Sequence, residues 1–168
     1  MSIITISRSS YSKGKMVAEK VAERLGYKTL AREVVHKASE QFNIPEEKLS
    51  KALHDSPSIL DRFTYSREKY IAFIRLAFLK HIIEDNMVYH GLAGHFFLRG
   101  APNVLKVRVL TSFDNRVKEE MDRENISEFE ARRLLKKDDT DRKKWSQHLY
   151  GIDTDDISLY DLVIHIDR

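Results

Sequence analysis

Apolar residues at the start of the chain alternate like those of a short strand, and Ile3, Ile4 and Ile6 predict one over residues 2–7. A polar turn over residues 8–14 follows. Apolar residues then return at the spacing of one helix face, at Met16, Val17, Ala18, Val21, Ala22 and Leu25. Gly26 predicts the C-terminal end of this helix. The chain therefore opens with a strand that turns into a helix.

The same two periodicities predict the elements of the rest of the chain. Further strands are expected over residues 27–30, 86–90, 104–110 and 160–166. Helices are expected over residues 32–42, 45–54, 67–84 and, after Ser112, up to residue 124. Ser127 and Glu130 predict a capping box that opens a last helix, which carries the charged run 132–145. A turn is expected at residues 55–58, before the helix with the widest apolar stripe.

Strands separated by helices are typical of a parallel sheet covered by helices on both faces. The pattern therefore predicts an α/β fold with a five-stranded parallel sheet. A chain of 168 residues, of which 42% are apolar, is long enough to bury the core of a single domain. In such sheets ligands bind at the carboxyl ends of the strands, so we expect the turn over residues 8–14 to contact a ligand.

The composition excludes some classes of function and leaves others open. The absence of cysteine rules out disulfides and thiolate metal sites. No membrane span is predicted, because Arg75, Lys80 and His81 interrupt the most apolar stretch. The N-terminus has no basic segment followed by an apolar one, so a cytoplasmic protein is expected. The net charge of +3 and the pI near 9.0 suit an anionic small ligand as well as nucleic acid.

The turn between the first strand and the first helix reads ISRSSYSKGKMVA, from Ile6 to Ala18. A phosphate-binding turn needs small residues, a helix N-terminus and a nearby cation. In the Walker A pattern G-x-x-x-x-G-K-[ST], Arg8 and Lys13 stand here at the two glycines, Gly14 at the lysine and Lys15 at the hydroxyl residue. The strict pattern is not met. Two lysines at a helix start, where acidic residues are usual, still favour an anion site over an ordinary solvated surface.

Several short motifs follow one another along the chain in a specific order. The opening strand, turn and helix match S-R-E-Y-G-S-G-G-R and A-x-x-L-A-x-x-L-G-Y at Ser7, Arg8, Ser12, Gly14, Lys15, Ala18, Val21, Ala22, Leu25, Gly26 and Tyr27. Weaker matches follow in segments 30–33, 88–93, 102–105, 115–124, 127–142 and 160–164. Together these motifs resemble the cytidylate-kinase-like family, a branch of the P-loop nucleoside monophosphate (NMP) kinases. Members of that family often place an arginine where Lys15 stands.

The resemblance implies a three-layer P-loop NTPase fold. Its core would be formed by residues 1–30, 86–126 and 160–168, with a helical NMP-binding insert over 31–85 and a helical lid over 127–159. It also implies that the chain transfers the γ-phosphoryl group of ATP to CMP or a similar small acceptor. ATP and Mg²⁺ would be the cofactors of an active enzyme, and a nucleotide or another phosphorylated small molecule would be the partner.

Charge spreads over a phosphoryl group in transfer, so such an enzyme surrounds that group with cations. The resemblance implies catalytic roles for Lys15, Arg116 and Arg142. It implies phosphate or nucleotide binding by Arg8, Ser10, Ser12, Lys13, Gly14, Lys15, Arg123, Arg132 and Asp139. Acceptor binding is expected at Arg32, Arg75 and Gly91. No metal site is expected, because His90 and His95 lie five residues apart, which is not a usual ligand spacing.

The chain departs from the family pattern where the family contacts substrate or metal. The departures are Tyr11 and Lys13 at two loop glycines, Met16 at a magnesium-binding hydroxyl, Ala31 at an acidic residue and Leu92 at an arginine. They keep open a second function, a module that binds nucleotide or phosphate without turning it over. The chain also ends directly after the last predicted strand, where members usually add a helix, so a naturally short form or a truncated chain is expected.

The charged run 132–145 has a second interpretation. Its cations alternate with Asp138, Asp139 and Asp141, which is typical of a solvated helix face. Arg142 carries more weight, because its spacing from Asp139 matches the family. Contact with nucleic acid is the least favoured function, since the positive charge is not concentrated. Trp145 is expected to pack this helix in place rather than to stack on a base, and the sequence predicts no oligomeric state.

Overall fold

The computed structural model describes residues 3–10, 12–54, 66–84 and 86–167. Its strands are β1 (Ile3–Arg8), β2 (Lys28–Leu30), β3 (Met87–His90), β4 (Val104–Leu110) and β5 (Leu162–His165). Its α-helices are α1 (Gly14–Leu25), α2 (Glu33–Phe42), α3 (Glu46–His54), α4 (Ser66–Ile82), α5 (Gly94–Phe97), α6 (Phe113–Glu124) and α7 (Glu128–Tyr150). A short 3₁₀ helix covers Ile157–Leu159. The turn predicted at residues 55–58 lies outside the described residues, as does Tyr11.

The five strands form one parallel sheet in the order β2-β3-β1-β4-β5. β1 lies in the centre, with Ile6 opposite His90 of β3 and Ser7 opposite Arg108 of β4. All the carboxyl ends therefore meet at one edge of the sheet, and the turn that follows β1 lies in the middle of that edge. The predicted five-stranded parallel sheet is confirmed.

Alternate side chains of β1 enter two separate clusters, because successive residues of a strand face opposite sides of the sheet. The cluster shared with α1 contains Ile6, Ala18, Ala22, Val88, Val107 and Val109. Ile3 belongs instead to a larger cluster that includes buried residues of α2–α5 and Trp145 of α7. Helices thus cover both faces of the sheet, which gives the three layers that the sequence predicts.

Helix α4 buries the wide apolar stripe that its sequence predicts, at Ile71, Ile74, Ala77, Phe78 and Ile82. The Phe78 ring is fully buried and lies 4.7 Å from the ring of Tyr89 and 5.5 Å from that of Phe97, between centroids. Burial of such a side chain stabilises the fold by about 1.5–3 kcal/mol. Neither α4 nor any other helix in the described part of the chain is long and apolar enough to cross a bilayer.

Helix α7 begins and is held in place as its sequence predicts. The Ser127 hydroxyl accepts the Glu130 amide and the Glu130 carboxylate accepts the Ser127 amide, which forms the expected capping box. Near the other end, the Tyr150 ring stacks on Phe96 at 4.3 Å between centroids. The indole of Trp145 is buried and its N–H donates to the carbonyl oxygen of Ala52 over 2.8 Å. The helix is therefore anchored to both α3 and α5.

The four-residue helix α5 is not predicted by the sequence. Ala93 precedes it with a φ of 66°, a left-handed conformation that favours glycine. At Gly94 a Cβ atom would lie 2.4 Å from a ring carbon of Tyr89, so only glycine fits there. A segment this short has too few residues for a helical periodicity to emerge. Its conformation depends on the buried Tyr89 ring below it.

Candidate active site

Two cavities open at the carboxyl ends of the strands. The first has a volume of about 540 Å³ and is lined by the ends of β1 and β3 and by residues of α2, α3 and α7. The second, of about 300 Å³, is lined by the ends of β4 and β5 and by the segment that follows α7. Arg108, Arg142 and Thr154 line both cavities. Two ligands could therefore lie side by side, with these residues where they meet.

After the turn that follows β1, helix α1 begins without an acidic side chain to neutralise the positive end of its dipole. The Ser12 hydroxyl donates to the carbonyl oxygen of Ser9 over 3.0 Å and accepts the Gly14 amide over 3.4 Å. The first turn of α1 contains no acidic residue. A Cβ atom on Gly14 would lie 2.7 Å from side-chain carbons of Arg8, so glycine lets that side chain lie against the helix start. The first-turn amides of α1 and the Arg8 side chain together favour an anion.

The two lysines of this turn lie in different surroundings. The Lys15 side chain is 65% exposed, lines the first cavity and lies 3.7 Å from the Glu19 carboxylate. The Lys13 ammonium pairs instead with Glu119 of α6 at 2.7 Å, and it lines neither cavity. The expectation of a second loop cation beside Lys15 is therefore not met by the arrangement of the side chains. Lys15 is the lysine that the fold brings to the first cavity.

Two arginines lie close together beside the turn. The Arg142 guanidinium donates to the backbone carbonyl oxygen of Arg8 over 3.1 Å, and its Nε lies 3.6 Å from the Asp138 carboxylate. Burial lowers the pKa of Arg142, and the neighbouring cations Arg8 and Arg108 lower it further. Burial also lowers the pKa of Arg8, whose buried Nε has no hydrogen-bond partner among the described residues. An anionic ligand would relieve this accumulation of positive charge.

Arg116 lies at the second cavity in a bidentate ion pair with Asp139. Its two terminal nitrogens donate to the two carboxylate oxygens of Asp139 over 3.0 and 2.8 Å, and one also donates to the carbonyl oxygen of Ser10 over 3.3 Å. The Ser10 side chain is fully buried, and its hydroxyl has no partner among the described residues. Arg116, Asp139 and Ser10 thus form one cluster, in which Asp139 pairs with the two terminal nitrogens of the guanidinium and the buried Nε has no hydrogen-bond partner among the described residues.

Two further predicted nucleotide-binding arginines lie away from both cavities. Arg123 donates to Glu120 over 2.7 Å and to Glu124 over 3.0 Å, all within α6. Arg132 donates to Asp114 and to Glu128, both over 2.8 Å. Neither residue lines the cavities described above. The structure therefore does not bring Arg123 and Arg132 together with Lys15 and Arg142.

The acceptor residues predicted from the sequence divide in the same way. Arg32 and Gly91 line the first cavity, whereas Arg75 lies on the exposed side of α4 and does not. The wall of this cavity on the side of α2–α4 is mostly apolar, with Val34, Val35, Leu53 and Ile74. Ala31 and Leu92, which replace an acidic residue and an arginine of the family pattern, also lie in this lining. The substitutions therefore change the surface that an acceptor would contact.

Residues that could bind a metal are few around the turn. Met16 occupies the position at which the family pattern has a magnesium-binding hydroxyl, and its side chain is 44% exposed. The described residues contain no group of three or more His, Asp or Glu side chains that could bind a metal ion. These side chains do not fit a magnesium ion bound mainly by protein.

Arg108 and His95 are the site residues that the sequence analysis misses. Arg108 is one of two charged residues, with Lys106, in a strand whose other five residues are apolar, and this position was the available signal for it. His95 is buried in the lining of the first cavity, and its Nε2 lies 3.4 Å from the Tyr160 hydroxyl. Burial, and after it the nearby Arg108, lower the pKa of His95 to about 3. Its imidazole is therefore neutral at physiological pH.

The chain is similar to known sequences and structures over nearly its whole length. The profile of the Cytidylate kinase-like family matches residues 3–168. A cytidylate kinase of Thermoplasma acidophilum is 28% identical over 167 residues, which cover 96% of this chain and 82% of that protein. The resemblance inferred from the short motifs is confirmed by these matches.

Solved structures support the fold. An uncharacterized protein from Eubacterium ventriosum has a TM-score of 0.75 at 24% identity, with 99% of this chain and 89% of that one covered. A shikimate kinase from Bacteroides thetaiotaomicron has a TM-score of 0.58 at 8% identity, with 98% and 85% covered. At these identities the likeness concerns the fold alone, and it agrees with the predicted P-loop architecture.

Proposed function

Because the chain belongs to the cytidylate kinase-like family, we propose that it is a phosphotransferase of the nucleoside monophosphate kinase type. It moves the γ-phosphoryl group of ATP to CMP or a similar small acceptor. The observation that carries this proposal is the group formed by Arg8, Lys15 and Arg142 around the start of α1, beside a cavity large enough for a nucleotide.

In the proposed complex the donor phosphates lie against the start of α1. The helix amides of its first turn face phosphate oxygens, as at other anion-binding helix starts. Lys15 supplies a mobile ammonium, and the Arg8 and Arg142 guanidinium groups supply planar donors that match phosphate oxygens. The segment with α7 acts as the lid, because it contributes Arg142 to this group.

The transfer itself requires one bond to form and one to break. An oxygen of the acceptor phosphate attacks the γ-phosphorus of ATP, and the bond from that phosphorus to the β,γ-bridging oxygen breaks. ADP leaves with the electron pair, and CMP becomes CDP. Lys15 and Arg142 stabilise the negative charge that spreads over the phosphoryl oxygens in the transition state. Their charges are available for this because Lys15 lies 3.7 Å from its carboxylate partner and Arg142 donates to a backbone carbonyl oxygen.

The acceptor lies in the first cavity, next to Arg32 and Gly91. Residues 31–85 serve as the acceptor-binding insert, and the apolar side chains of α2–α4 keep water from the phosphoryl group. Since Met16 and the other described side chains do not fit a protein-bound magnesium ion, no step is assigned to one. An ion brought in by ATP would be held by phosphate oxygens and water.

A second candidate function is a module that binds nucleotide without transfer. The bidentate ion pair between Arg116 and Asp139 favours it, because the two terminal nitrogens of Arg116 lose that carboxylate if the side chain turns to a nucleotide. The ion pair between Lys13 and Glu119 also favours this function, because it leaves one lysine of the turn bound to a carboxylate instead of to phosphate.

The two functions are separated by ADP-release assays run on a panel of nucleoside monophosphates with ATP. Transfer predicts turnover with at least one acceptor, and this turnover is lost in Lys15→Ala and Arg142→Ala. Arg133→Ala, an exposed arginine of the same helix, is the matched control and should keep wild-type rates. Nucleotide-dependent thermal stabilisation without turnover would support the binding module instead. A protein that shows no nucleotide-dependent stabilisation and no turnover would contradict both functions.

A further inference from the structure

A buried arginine lies at the boundary between the two cavities. Arg108 is on the central part of the sheet, opposite Ser7 of β1, and its side chain is 9% exposed. It lines both cavities, as Arg142 does. In the proposed complex the acceptor lies in the first cavity and the donor phosphates lie at the start of α1, so the phosphoryl group in transfer lies beside the wall that carries Arg8, Arg108 and Arg142.

The partners of Arg108 are of two kinds. One terminal nitrogen donates to the Ser7 hydroxyl over 2.9 Å, inside the fold, and the guanidinium carbon lies 5.6 Å from the centre of the Tyr160 ring. The other terminal nitrogen donates to the carboxylate of Asp155 over 2.7 Å. Asp155 is 47% exposed and lies in the segment that follows α7. The buried cation is thus neutralised by a carboxylate that belongs to the surface.

Asp155 has an alternative cation at hand. Its other carboxylate oxygen lies 2.8 Å from the Lys143 ammonium, which is itself half exposed. If the carboxylate left Arg108, it would keep this ion pair and regain water. Arg108 would not gain comparable solvation, because its side chain is buried. The Arg108–Asp155 contact is therefore the kind that an incoming anion can replace, with the carboxylate retained by Lys143.

The charge around Arg108 also favours an anion. Arg8, Arg108 and Arg142 all line the first cavity, so three guanidinium groups face one region. Arg108 pairs with the carboxylate of Asp155, and Arg142 lies 3.6 Å from that of Asp138. A phosphoryl group offers three oxygens and matches the planar donors of a guanidinium better than a single carboxylate oxygen does.

We propose that Arg108 binds the phosphoryl group in transfer, and that Asp155 occupies this position as a stand-in anion until the phosphoryl group arrives. The inference rests on the proposed phosphotransferase function. Arg108 forms no covalent bond in it; its N–H groups donate to phosphoryl oxygens while the bond to the bridging oxygen breaks. Asp155 then returns to Arg108 when the product leaves.

The alternative is that Arg108 only ties the segment after α7 to the sheet. Two variants, Arg108→Gln and Asp155→Asn, distinguish these roles. A structural tie predicts that they have the same effect, since each breaks the same ion pair. A phosphoryl-binding role predicts opposite effects on ATP affinity, because one variant removes the binding group and the other removes its competitor.

The experiment measures the dissociation constants of ATP and ADP by calorimetry, together with turnover. We expect Arg108→Gln to weaken ATP binding more than ADP binding and to lower kcat by about 100-fold, with partial rescue in Arg108→Lys. We expect Asp155→Asn to tighten ATP binding by about threefold, with less effect on ADP. Asp156→Asn, which removes the same charge one residue further on and faces Ser158, is the control and should leave both constants unchanged.

Loss of ATP affinity in both Arg108→Gln and Asp155→Asn, or equal losses for ATP and ADP in Arg108→Gln, would overturn the inference and leave the proposed function standing. The inference would also be overturned if the wild-type protein binds ATP and turns it over and the two variants differ from it only in thermal stability. Failure of the wild-type protein to bind ATP would overturn both. Asp155→Asn changes a half-exposed side chain, so the test does not depend on the folding of Arg108→Gln.

Discussion

The two walls of the first cavity differ in chemistry although they face the same space. The wall formed by the β1–α1 turn, β4 and α7 carries Arg8, Lys15, Arg108 and Arg142. The wall formed by α2–α4 is lined mainly by aliphatic side chains. The charged wall is suited to bind phosphate, and the apolar wall is suited to exclude water and to stabilise the fold.

The arginines of the molecule differ in the same sense. Arg123 and Arg132, on the outer surface of α6 and α7, each have two carboxylates within hydrogen-bond distance. Among the described residues, Arg142 has the carboxylate of Asp138 at 3.6 Å and the backbone carbonyl oxygen of Arg8 as partners. Ion pairs on the surface contribute little to stability, whereas a buried cation without a full partner destabilises the fold unless a ligand completes it. We therefore expect substitutions on the charged wall to change activity and substitutions on the apolar side to change stability.

The largest expected effect comes from the apolar core, in which Trp145 of α7 packs with residues of α2–α5. Trp145→Ala removes a buried indole and its hydrogen bond to Ala52, and should lower the free energy of unfolding by about 3–5 kcal/mol. Phe129→Ala, in the same helix but 77% exposed, should change it by less than about 0.5 kcal/mol. Urea unfolding of both variants checks the prediction. Equal stabilities for the two would contradict the assignment of Trp145 as the anchor of α7.

Next comes the charged wall. Arg142→Ala should lower kcat/KM by about 10²–10³-fold, because a cation that faces the phosphoryl group is lost. Its free energy of unfolding should change by less than about 1 kcal/mol, since the variant also removes repulsion from Arg8 and Arg108. Steady-state kinetics and urea unfolding of the same sample measure both quantities. A stability loss like that of Trp145→Ala, with activity retained, would reverse the roles of the two walls.

A smaller effect is expected from the buried imidazole between the walls. The pKa of His95 is lowered to about 3, so the unfolded chain takes up a proton below pH 6.5 that the native protein does not. The contribution of His95 to the free energy of unfolding is therefore fully present above pH 6.5. It falls by about 1.4 kcal/mol per pH unit as the pH decreases towards 3.

His95→Gln should flatten this slope between pH 6 and 5, where most carboxylates remain ionised. The slope that persists should come from His90, whose pKa burial and Arg8 also lower. The exposed His36 has a raised pKa and works in the opposite direction. Chemical unfolding at several pH values measures the slopes. An unchanged slope in His95→Gln would mean that the pKa of His95 is the same in the folded and unfolded protein.

The smallest effect distinguishes the two lysines of the β1–α1 turn. Lys15→Ala should weaken ATP binding by about fivefold, because one exposed ion pair with phosphate is lost. Lys13→Ala should weaken it by less than about twofold, because Lys13 pairs with Glu119. Calorimetry on both variants provides the comparison. A larger effect for Lys13 would show that its side chain leaves Glu119 when nucleotide binds.

Much of the fold is predictable because its signals are local. The strand over residues 104–110 and the helix from residue 113 to 124 have the predicted bounds, since alternation and a preceding Ser112 mark them. The capping box at Ser127 needs only two residues three positions apart. The short α5 was missed because its conformation depends on the ring of Tyr89.

The site was predictable only in part. The sequence places Arg8, Lys15 and Gly14 at a strand-to-helix turn, and this follows from periodicity alone. It gives a catalytic role to Lys15 and not to Lys13, but it does not show that Lys13 pairs with Glu119, more than a hundred positions away along the chain. It favours Arg142 over Arg132, because the spacing of Arg142 from Asp139 matches the family pattern, but it does not show that Arg132 pairs with Asp114 and Glu128.

The sequence by itself determined the order of strands and helices along the chain, the family and the location of the β1–α1 turn, because each depends on residues close together in the chain. Only the tertiary structure decided which cations face the cavities and which are neutralised. It brings Ser7, Arg108 and Asp155 into contact from three distant segments. The physical reason is that a charge acts over a few ångströms, and the sheet register and helix packing determine which charges come that close.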